Sequence, residues 1–238
     1  MPEIQFVTFN THHSLTPKRQ GFVPNDLGPA CLDFKADVLV LQEHWRPDEG
    51  IALLDQLDGD DLHVTEHAIA RVKRRKGRKP IVSREGIGTW GLGLASRFPI
   101  RSQRVLPLGR VWRDPAGPRH ALFVELDVDG GPLDVVVIHT SSKVPRGPLT
   151  HLRNLKPQLP DPSKPAIVAG DCNLWGPWVS AMLPEWQRAV IGRTWPAHRP
   201  HSQIDHILVN ERITVLDGEV LDDHGSDHRP IRAHLRWD

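Results

Sequence analysis

The chain has 238 residues, of which 39% are hydrophobic and 25% charged, and its formal net charge is +1. This composition is ordinary for a folded globular protein. Its two cysteines, Cys31 and Cys172, form neither a disulfide framework nor a zinc-binding pattern, so we expect a reducing, cytoplasmic setting. The sequence contains no signal-peptide pattern and no apolar run of the roughly 18–20 residues that a membrane helix needs. We therefore expect no membrane association and see no sign of an obligate protein partner.

The charge is unevenly distributed along the chain. Residues 71–79 carry seven positive charges and no negative one, so that the remainder has 23 basic and 29 acidic residues. We predict that residues 71–79 form an exposed loop between two strands. Such a loop either binds the phosphates of a nucleic acid or is simply solvated, and the sequence leaves both open.

The hydrophobic pattern predicts many strands and few helices. The predicted strands cover residues 4–10, 37–43, 86–96, 102–111, 120–128, 133–139, 166–169, 203–209, 213–221 and 231–237, and the predicted helices 26–34, 47–57, 148–159 and 179–186. This proportion favours an α/β (α+β) fold in which two packed sheets carry helices on their outer faces. No linker divides the chain, so we predict a single domain over residues 1–238.

The segment 165–173 is the most informative stretch. Ala166 to Ala169 read as a short strand buried on both faces, and Gly170 then releases the backbone. Asp171 and Asn173 follow two residues apart, which places a carboxylate and an amide at the end of a buried strand. Sheet edges of this kind often carry binding sites, although an Asx turn that merely ends the strand gives the same pattern.

Other buried strands of the chain also end in polar residues. Buried strands seldom end in charge without a partner, so the repetition predicts a shared site. The residues concerned are Asn10, Glu43, His139, Asp171, Asn173, Asp205, Asp227 and His228.

These residues lie in motifs that resemble the endonuclease/exonuclease/phosphatase superfamily. The motifs occur in the family's order and span residues 4–236: Phe9-Asn10, Gln42-Glu43, residues 93–98, Gly170-Asp-x-Asn173, Ile204-Asp-His206 and Ser226-Asp-His-Arg-Pro230. The resemblance implies a deoxyribonuclease I-like, four-layer sandwich of two mixed β-sheets flanked by helices.

The resemblance also implies roles for the matching residues. Glu43 is the main Mg²⁺ (or Mn²⁺) ligand, with Asn10 and Asp227 near the metal, and oxygen ligands suit these ions. Asp171 activates or orients the attacking water, and Asn173 donates to the phosphoryl oxygens.

The remaining implied roles concern histidines and one arginine. Asp205 and His228 form a carboxylate–imidazole pair that holds the ring against the phosphate. His139 lies near the scissile phosphate, and Arg119 is a candidate substrate-binding residue.

The chain departs from the family pattern in two places. Many relatives have a tyrosine in the site, whereas this chain has none, and His12 stands where apurinic endonucleases often have a carboxylate. Trp175 and Trp178 follow the Asp/Asn motif, and we expect them to pack a helix onto the sheet, with stacking on a base as the alternative.

The sequence therefore predicts a Mg²⁺-dependent hydrolase of phosphodiester bonds, with nucleic acid as the expected substrate. A phosphomonoesterase or a phospholipid-type phosphodiesterase would use the same residues. A non-catalytic nucleic-acid-binding protein is the alternative from a different class, and it predicts binding that survives chelation of metal.

Overall fold

A computed structural model describes residues 1–19, 21–58, 61–75, 77–114, 116–129 and 131–238. Four α-helices occur in these ranges: α1 (Gly28–Asp33), α2 (Leu53–Leu57), α3 (Arg146–Leu155) and α4 (Gly176–Met182). The strands are β1 (Glu3–Asn10), β2 (Leu15–Lys18), β3 (Gly21–Pro24), β4 (Val38–Pro47), β5 (His63–Arg75), β6 (Arg78–Val82), β7 (Gly88–Ser96), β8 (Ile100–Arg110), β9 (Pro118–Val128), β10 (Gly131–His139), β11 (Ala166–Asp171), β12 (Gln187–Arg188), β13 (Asp205–Val209), β14 (Ile213–Val220) and β15 (Ile231–Trp237).

The strands form two large mixed sheets and one small hairpin. The first sheet has the order β14-β15-β1-β4-β7-β5-β6, the second has the order β12-β13-β11-β10-β9-β8, and β2 pairs with β3. Apolar side chains alternate between the two faces of the central strands. Val40 of β4 and Ile167 of β11 enter a core shared by both sheets.

Helices cover the outer face of each sheet. Leu39 and Leu41 of β4 pack with residues of α1 and α2, such as Cys31 and Leu54. On the other side, Val168 of β11 packs in a cluster that includes residues of α3 and α4. The layers are therefore helix, sheet, sheet and helix, which confirms the predicted four-layer sandwich.

Two local predictions were wrong. Residues 71–79 do not form a loop, because β5 extends to Arg75 and pairs with β6, with Val72 opposite Val82 and Arg75 opposite Arg78. Lys76 lies outside the described residues. Residues 47–57 are not one helix either, since Trp45 to Pro47 continue β4 by pairing with β7, and only Leu53–Leu57 are helical.

The tryptophans after the Asp/Asn motif are not core residues. Trp175 is 54% exposed and Trp178 is 50% exposed, whereas Trp186 is 8% exposed. Helix α4 begins at Gly176 and is packed by Val179 rather than by these rings. The expectation that they fasten the helix to the sheet was therefore wrong.

Within the described part of the chain, no helix is long and apolar enough to cross a membrane.

Buried His151 of α3 is held as a neutral imidazole. Its Nδ1 accepts a hydrogen bond of 3.1 Å from the Ser141 backbone N–H, which requires a free lone pair on that nitrogen. Burial and then the positive charge of Arg119 lower the His151 pKa from 6.5 to about 4.

We expect this histidine to destabilise the fold in acid. Between pH 6.5 and about 4 the histidine of the unfolded chain is protonated, whereas the buried ring of the folded protein stays neutral. This group therefore does not lower the free energy of unfolding above pH 6.5, and it lowers that free energy progressively as the pH drops below 6.5. In urea unfolding, His151→Asn should flatten the pH dependence of the unfolding free energy by about 1 kcal/mol per pH unit in this window. Equal slopes for the variant and the wild type would contradict the assignment.

Candidate active site

The strand register brings the polar residues of the second sheet together. His139 at the end of β10 is paired with Asp171 at the end of the parallel strand β11. Asp171 is in turn opposite Asp205, the first residue of the antiparallel strand β13. Three candidate side chains therefore lie side by side where these central strands end, at one side of the sheet.

Gly170 allows β11 to approach β10 closely at this edge. Its φ is +140°, which L side chains rarely adopt, and a Cβ would lie 2.0 Å from the carbonyl oxygen of Ile138. Any other residue would push the two strands apart just before Asp171.

Glu43 is presented to the site by an irregularity in β4. The register with β7 shifts between Gln42 and His44, so that Glu43 is the extra residue of a bulge, with a φ of 52°. One carboxylate oxygen lies 3.0 Å from His13 Nε2, and the other lies 3.8 Å from His139 Nε2. The sequence identified Glu43, but not the contact with His13.

Asn10 connects the two sheets. Its Nδ2 donates a hydrogen bond of 3.0 Å to Asp171 and lies 3.5 Å from Glu43. Ser226 Oγ donates to the Asn10 carbonyl oxygen at 2.7 Å, which ties the loop before β15 to the end of β1. Ser226 was part of a recognised motif, but its packing role was not predicted.

Asp205 and His228 form the predicted carboxylate–imidazole pair. His228 Nδ1 lies 2.9 Å and 3.1 Å from the two oxygens of Asp205, and its Nε2 lies 3.8 Å from Asp171. Since a carboxylate only accepts, Nδ1 carries a proton and the opposite nitrogen faces Asp171.

Asn173 is held against Asp171 by a turn with φ of 47°. Its backbone N–H donates to Asp171 at 2.7 Å, and its side-chain amide donates to both Thr140 O and Asp171 at 3.2 Å. The Asx turn considered from the sequence is therefore present, and it positions a side chain of the site rather than merely ending the strand.

Arg119 lies behind His139. The guanidinium forms an ion pair with Asp114 at 3.2 Å, its Nη1 lies 3.4 Å from His139 Nδ1, and its central carbon lies 4.9 Å from the centre of the Trp90 ring. Arg119 is only 4% exposed, so its contacts are those of a positioning residue. Direct contact with substrate stays a prediction.

Trp90 is an aromatic residue of the site that no sequence motif predicted. Its ring packs edge-on against His139 at 5.4 Å and lies 5.8 Å from the ring of His13. Its position on a glycine-rich strand gave no signal of this role. The chain has no tyrosine, and the ring of Trp90 is the aromatic group that packs beside His139 and His13.

Burial and neighbouring charges set the protonation of these groups. Burial raises the pKa of Asp171 to about 7, with His228 opposing the rise and Asp205 adding to it. Burial and the charge of Arg119 lower the His139 pKa to about 3, so this ring is neutral at neutral pH. Burial disfavours charge on His228, but Asp205 and Asp171 outweigh it and raise its pKa well above 6.5.

The residues at this edge fit a divalent cation at Glu43. Burial opposes ionisation of Glu43, yet the contact with His13 helps to hold its pKa well below 4.5, so the carboxylate is charged. Asp227 Oδ1 is buried without a hydrogen-bond partner in the described chain, which leaves an oxygen available for a cation. Asp227 is close to His12 and His228, at 3.8 Å and 3.9 Å, rather than being paired with Glu43.

A second group of possible metal ligands has another explanation. Ligand atoms of Asp171, Asp205 and His228 lie within 4.8 Å of one another. The hydrogen bonds between His228 and Asp205 already use the imidazole Nδ1 and both carboxylate oxygens. We therefore interpret this group as a proton-transfer array and not as a metal site.

Two mixed sheets covered by helices, with carboxylate, amide and imidazole groups gathered at the ends of their central strands, define a four-layer α/β sandwich with a polar site. A family model described as the Endonuclease/Exonuclease/phosphatase family matches residues 7–228. The chain belongs to this family.

Solved structures share the fold at low sequence identity. An endonuclease/exonuclease/phosphatase from Beutenbergia cavernae DSM 12333 is 23% identical with a TM-score of 0.79, covering 100% of this chain and 72% of that chain. The mannosyl-6-phosphatase Bt3783 of Bacteroides thetaiotaomicron VPI-5482 is 14% identical with a TM-score of 0.72, covering 98% and 100%. Sphingomyelinase C from Streptomyces griseocarneus is 17% identical with a TM-score of 0.64, covering 98% and 99%.

No curated protein sequence matches this chain.

We expect Asp205→Asn to return His228 to the neutral form. Without the Asp205 carboxylate, burial is opposed chiefly by Asp171, so the imidazole pKa should fall from well above 6.5 toward its ordinary value. Nitrogen-resolved NMR titration of the imidazole measures this directly, with His151 as an internal reference.

The same change has a defined effect on stability. Because the folded pKa of His228 is raised, the stabilisation by the pair is complete below pH 6.5 and is lost as pH rises through the raised value. The unfolding free energies of the wild type and of Asp205→Asn should therefore differ most below pH 6.5. A His228 that titrates identically in both proteins would disprove the pairing.

Proposed function

We propose that this protein is a Mg²⁺- or Mn²⁺-dependent phosphodiesterase that hydrolyses nucleic acid in the cytoplasm. The convergence of donors on Asp171 supports the proposal most strongly. This one carboxylate receives hydrogen bonds from Asn10 and Asn173, and it faces His139 Nε2 at 3.4 Å and His228 Nε2 at 3.8 Å. Such an arrangement suits a base that orients a water beside a phosphate.

The chain's own residues divide the reaction between them. Asp171, whose pKa of about 7 lies near the working pH, accepts the proton of the attacking water. His228, kept protonated by Asp205, and the amide of Asn173 donate to the phosphoryl oxygens as their charge develops. Neutral His139, held by Arg119, keeps its Nε2 proton directed toward the same space.

A divalent cation would be bound by Glu43, with Asn10 and Asp227 nearby. When bound, it neutralises the charge that develops on the phosphoryl and leaving-group oxygens. Buried Cys31 and Cys172 are free thiols, which is compatible with a reducing compartment.

The basic hairpin formed by β5 and β6 supports nucleic acid as the substrate. Arg74 of this hairpin lies over the Trp45 ring at 5.0 Å, and its Nη2 is 3.5 Å from the backbone oxygen of Ser14, next to the His12–His13 turn of the site. Part of the hairpin charge is already paired, since Arg71 binds Asp48 and Lys73 lies 3.6 Å from Glu85. Arg78 is exposed and suited to a flanking phosphate.

We expect hydrolysis by the purified protein to require metal and to depend on Glu43, Asp171 and His228. Glu43→Gln, Asp171→Ala and His228→Ala should each reduce turnover by at least about 100-fold, because each removes a group that acts in the transition state. The assay compares Mg²⁺, Mn²⁺ and EDTA on plasmid DNA, single-stranded DNA, RNA and bis-(p-nitrophenyl) phosphate.

The same assay separates the alternatives. A sugar phosphate, an inositol phosphate and sphingomyelin are included because fold neighbours named as a mannosyl-6-phosphatase and a sphingomyelinase share the architecture. Turnover of only one of these compounds would support the assigned site residues and would replace nucleic acid as the proposed substrate. Near-full activity of folded Asp171→Ala or His228→Ala would refute the assigned roles, and EDTA-resistant DNA binding without turnover would favour a binding protein.

We expect Arg78→Ala to weaken nucleic-acid binding without affecting chemistry. Loss of one phosphate contact should lower the slope of log Kd against log salt by about one unit. Activity on bis-(p-nitrophenyl) phosphate should stay unchanged. Arg153→Ala, which removes an exposed arginine from α3, serves as the control, and equal salt slopes for both variants would exclude a role for the hairpin.

A further inference from the structure

We propose that His13 binds the catalytic cation through Nε2, and that this nitrogen makes the site favour transition-metal dications such as Mn²⁺ and Co²⁺ over Mg²⁺. The inference rests on the proposed metal site at Glu43. His13 Nε2 lies 3.0 Å from one Glu43 oxygen, and the two side chains are 13% and 20% exposed. A cation bound to that oxygen would therefore lie within reach of the imidazole.

The backbone holds His13 in a conformation that needs support. His12, His13 and Ser14 have φ values of 46°, 55° and 54°, a left-handed run that non-glycine residues rarely adopt. The turn is fixed by the His12 N–H, which donates to Asn10 Oδ1 at 3.0 Å, and by the Asn25 N–H, which donates to Ser14 O at 3.0 Å. These hydrogen bonds hold the turn in its unfavourable conformation, and in that conformation the His13 ring contacts Glu43.

Hydrogen bonding distinguishes His13 from the other imidazoles around Glu43. His139 Nδ1 faces an N–H of Arg119 at 3.4 Å, so the proton of this neutral ring lies on Nε2 and that nitrogen has no lone pair for a metal. His12 Nδ1 lies 3.1 Å from the carbonyl oxygen of Leu15, which only accepts, so that nitrogen carries a proton and cannot bind a metal; in the described chain neither nitrogen of His12 lies within 4.0 Å of Glu43, unlike His13 Nε2. His13 Nδ1 is buried without a hydrogen-bond partner in the described chain and can carry the proton when Nε2 binds.

The chemistry of the donors gives the selectivity. Mg²⁺ prefers oxygen ligands and retained waters, whereas imidazole nitrogen suits first-row transition metals. Binding would break the Nε2–H contact with Glu43 and leave a single proton on Nδ1, and an initially charged ring would release one proton to solvent.

Metal titration of the intact, metal-free protein tests the proposal without relying on activity. Calorimetry with MgCl₂, MnCl₂ and CoCl₂ gives the affinities, and pulsed EPR of bound Mn²⁺ detects a coordinating ¹⁴N. We use His13→Asn because asparagine tolerates the left-handed conformation, and His13→Gln as a second variant. His234→Gln is the matched control, since His234 Nε2 lies 3.2 Å from Glu3 at the other end of β1.

Wild type and His234→Gln should show nitrogen coupling, and both His13 variants should lose it. In the His13 variants the Co²⁺ affinity should fall at least about tenfold, while the Mg²⁺ affinity changes less than about threefold. Coupling that persists in both variants, or equal losses for Mg²⁺ and Co²⁺, would overturn the proposal. The Glu43→Gln variant distinguishes a failure of the His13 proposal from a failure of the proposed function. Unchanged metal binding in that variant would refute the metal site of the proposed function itself.

Discussion

The hydrogen bond between Asn10 and Asp171 is the contact on which the site depends. These residues are far apart in the chain and belong to different sheets, yet Nδ2 and the carboxylate are 3.0 Å apart. A buried aspartate is expensive unless donors surround it, and Asn10 and Asn173 supply these from both sides. The contact that joins the two sheets is therefore also one that holds the site together.

That junction explains why polar residues occur at the ends of so many buried strands. β1 and β4 are parallel in one sheet, and β10 and β11 are parallel in the other. Their carboxyl ends meet where the shared apolar core stops, so the groups excluded from the core face one another. The low dielectric beside the core then raises the pKa of Asp171 and lowers that of His139.

The residues at strand ends were predictable, since Asp171, His139 and Asp205 follow or begin apolar runs whose period identifies the strand. The part played by His13 was not predictable. His13 reaches Glu43 only through a left-handed turn, which local sequence does not encode in a non-glycine residue. Arg71 to Arg75 read as a loop because of their charge, but pairing with β6 and ion pairs to Asp48 and Glu85 stabilise them as a strand.

The bulge at Glu43 has a consequence for how this protein can evolve. A bulge shifts one residue relative to its neighbour, so β4 and β7 remain paired on both sides of Glu43 whatever its side chain does. Val40 and Leu92 stay in the shared core, because the apolar residues Val38–Leu41 precede the irregularity, which lies between Gln42 and His44. Changes of metal or substrate preference can thus accumulate at the bulge and in the facing turn while the sandwich keeps its stability.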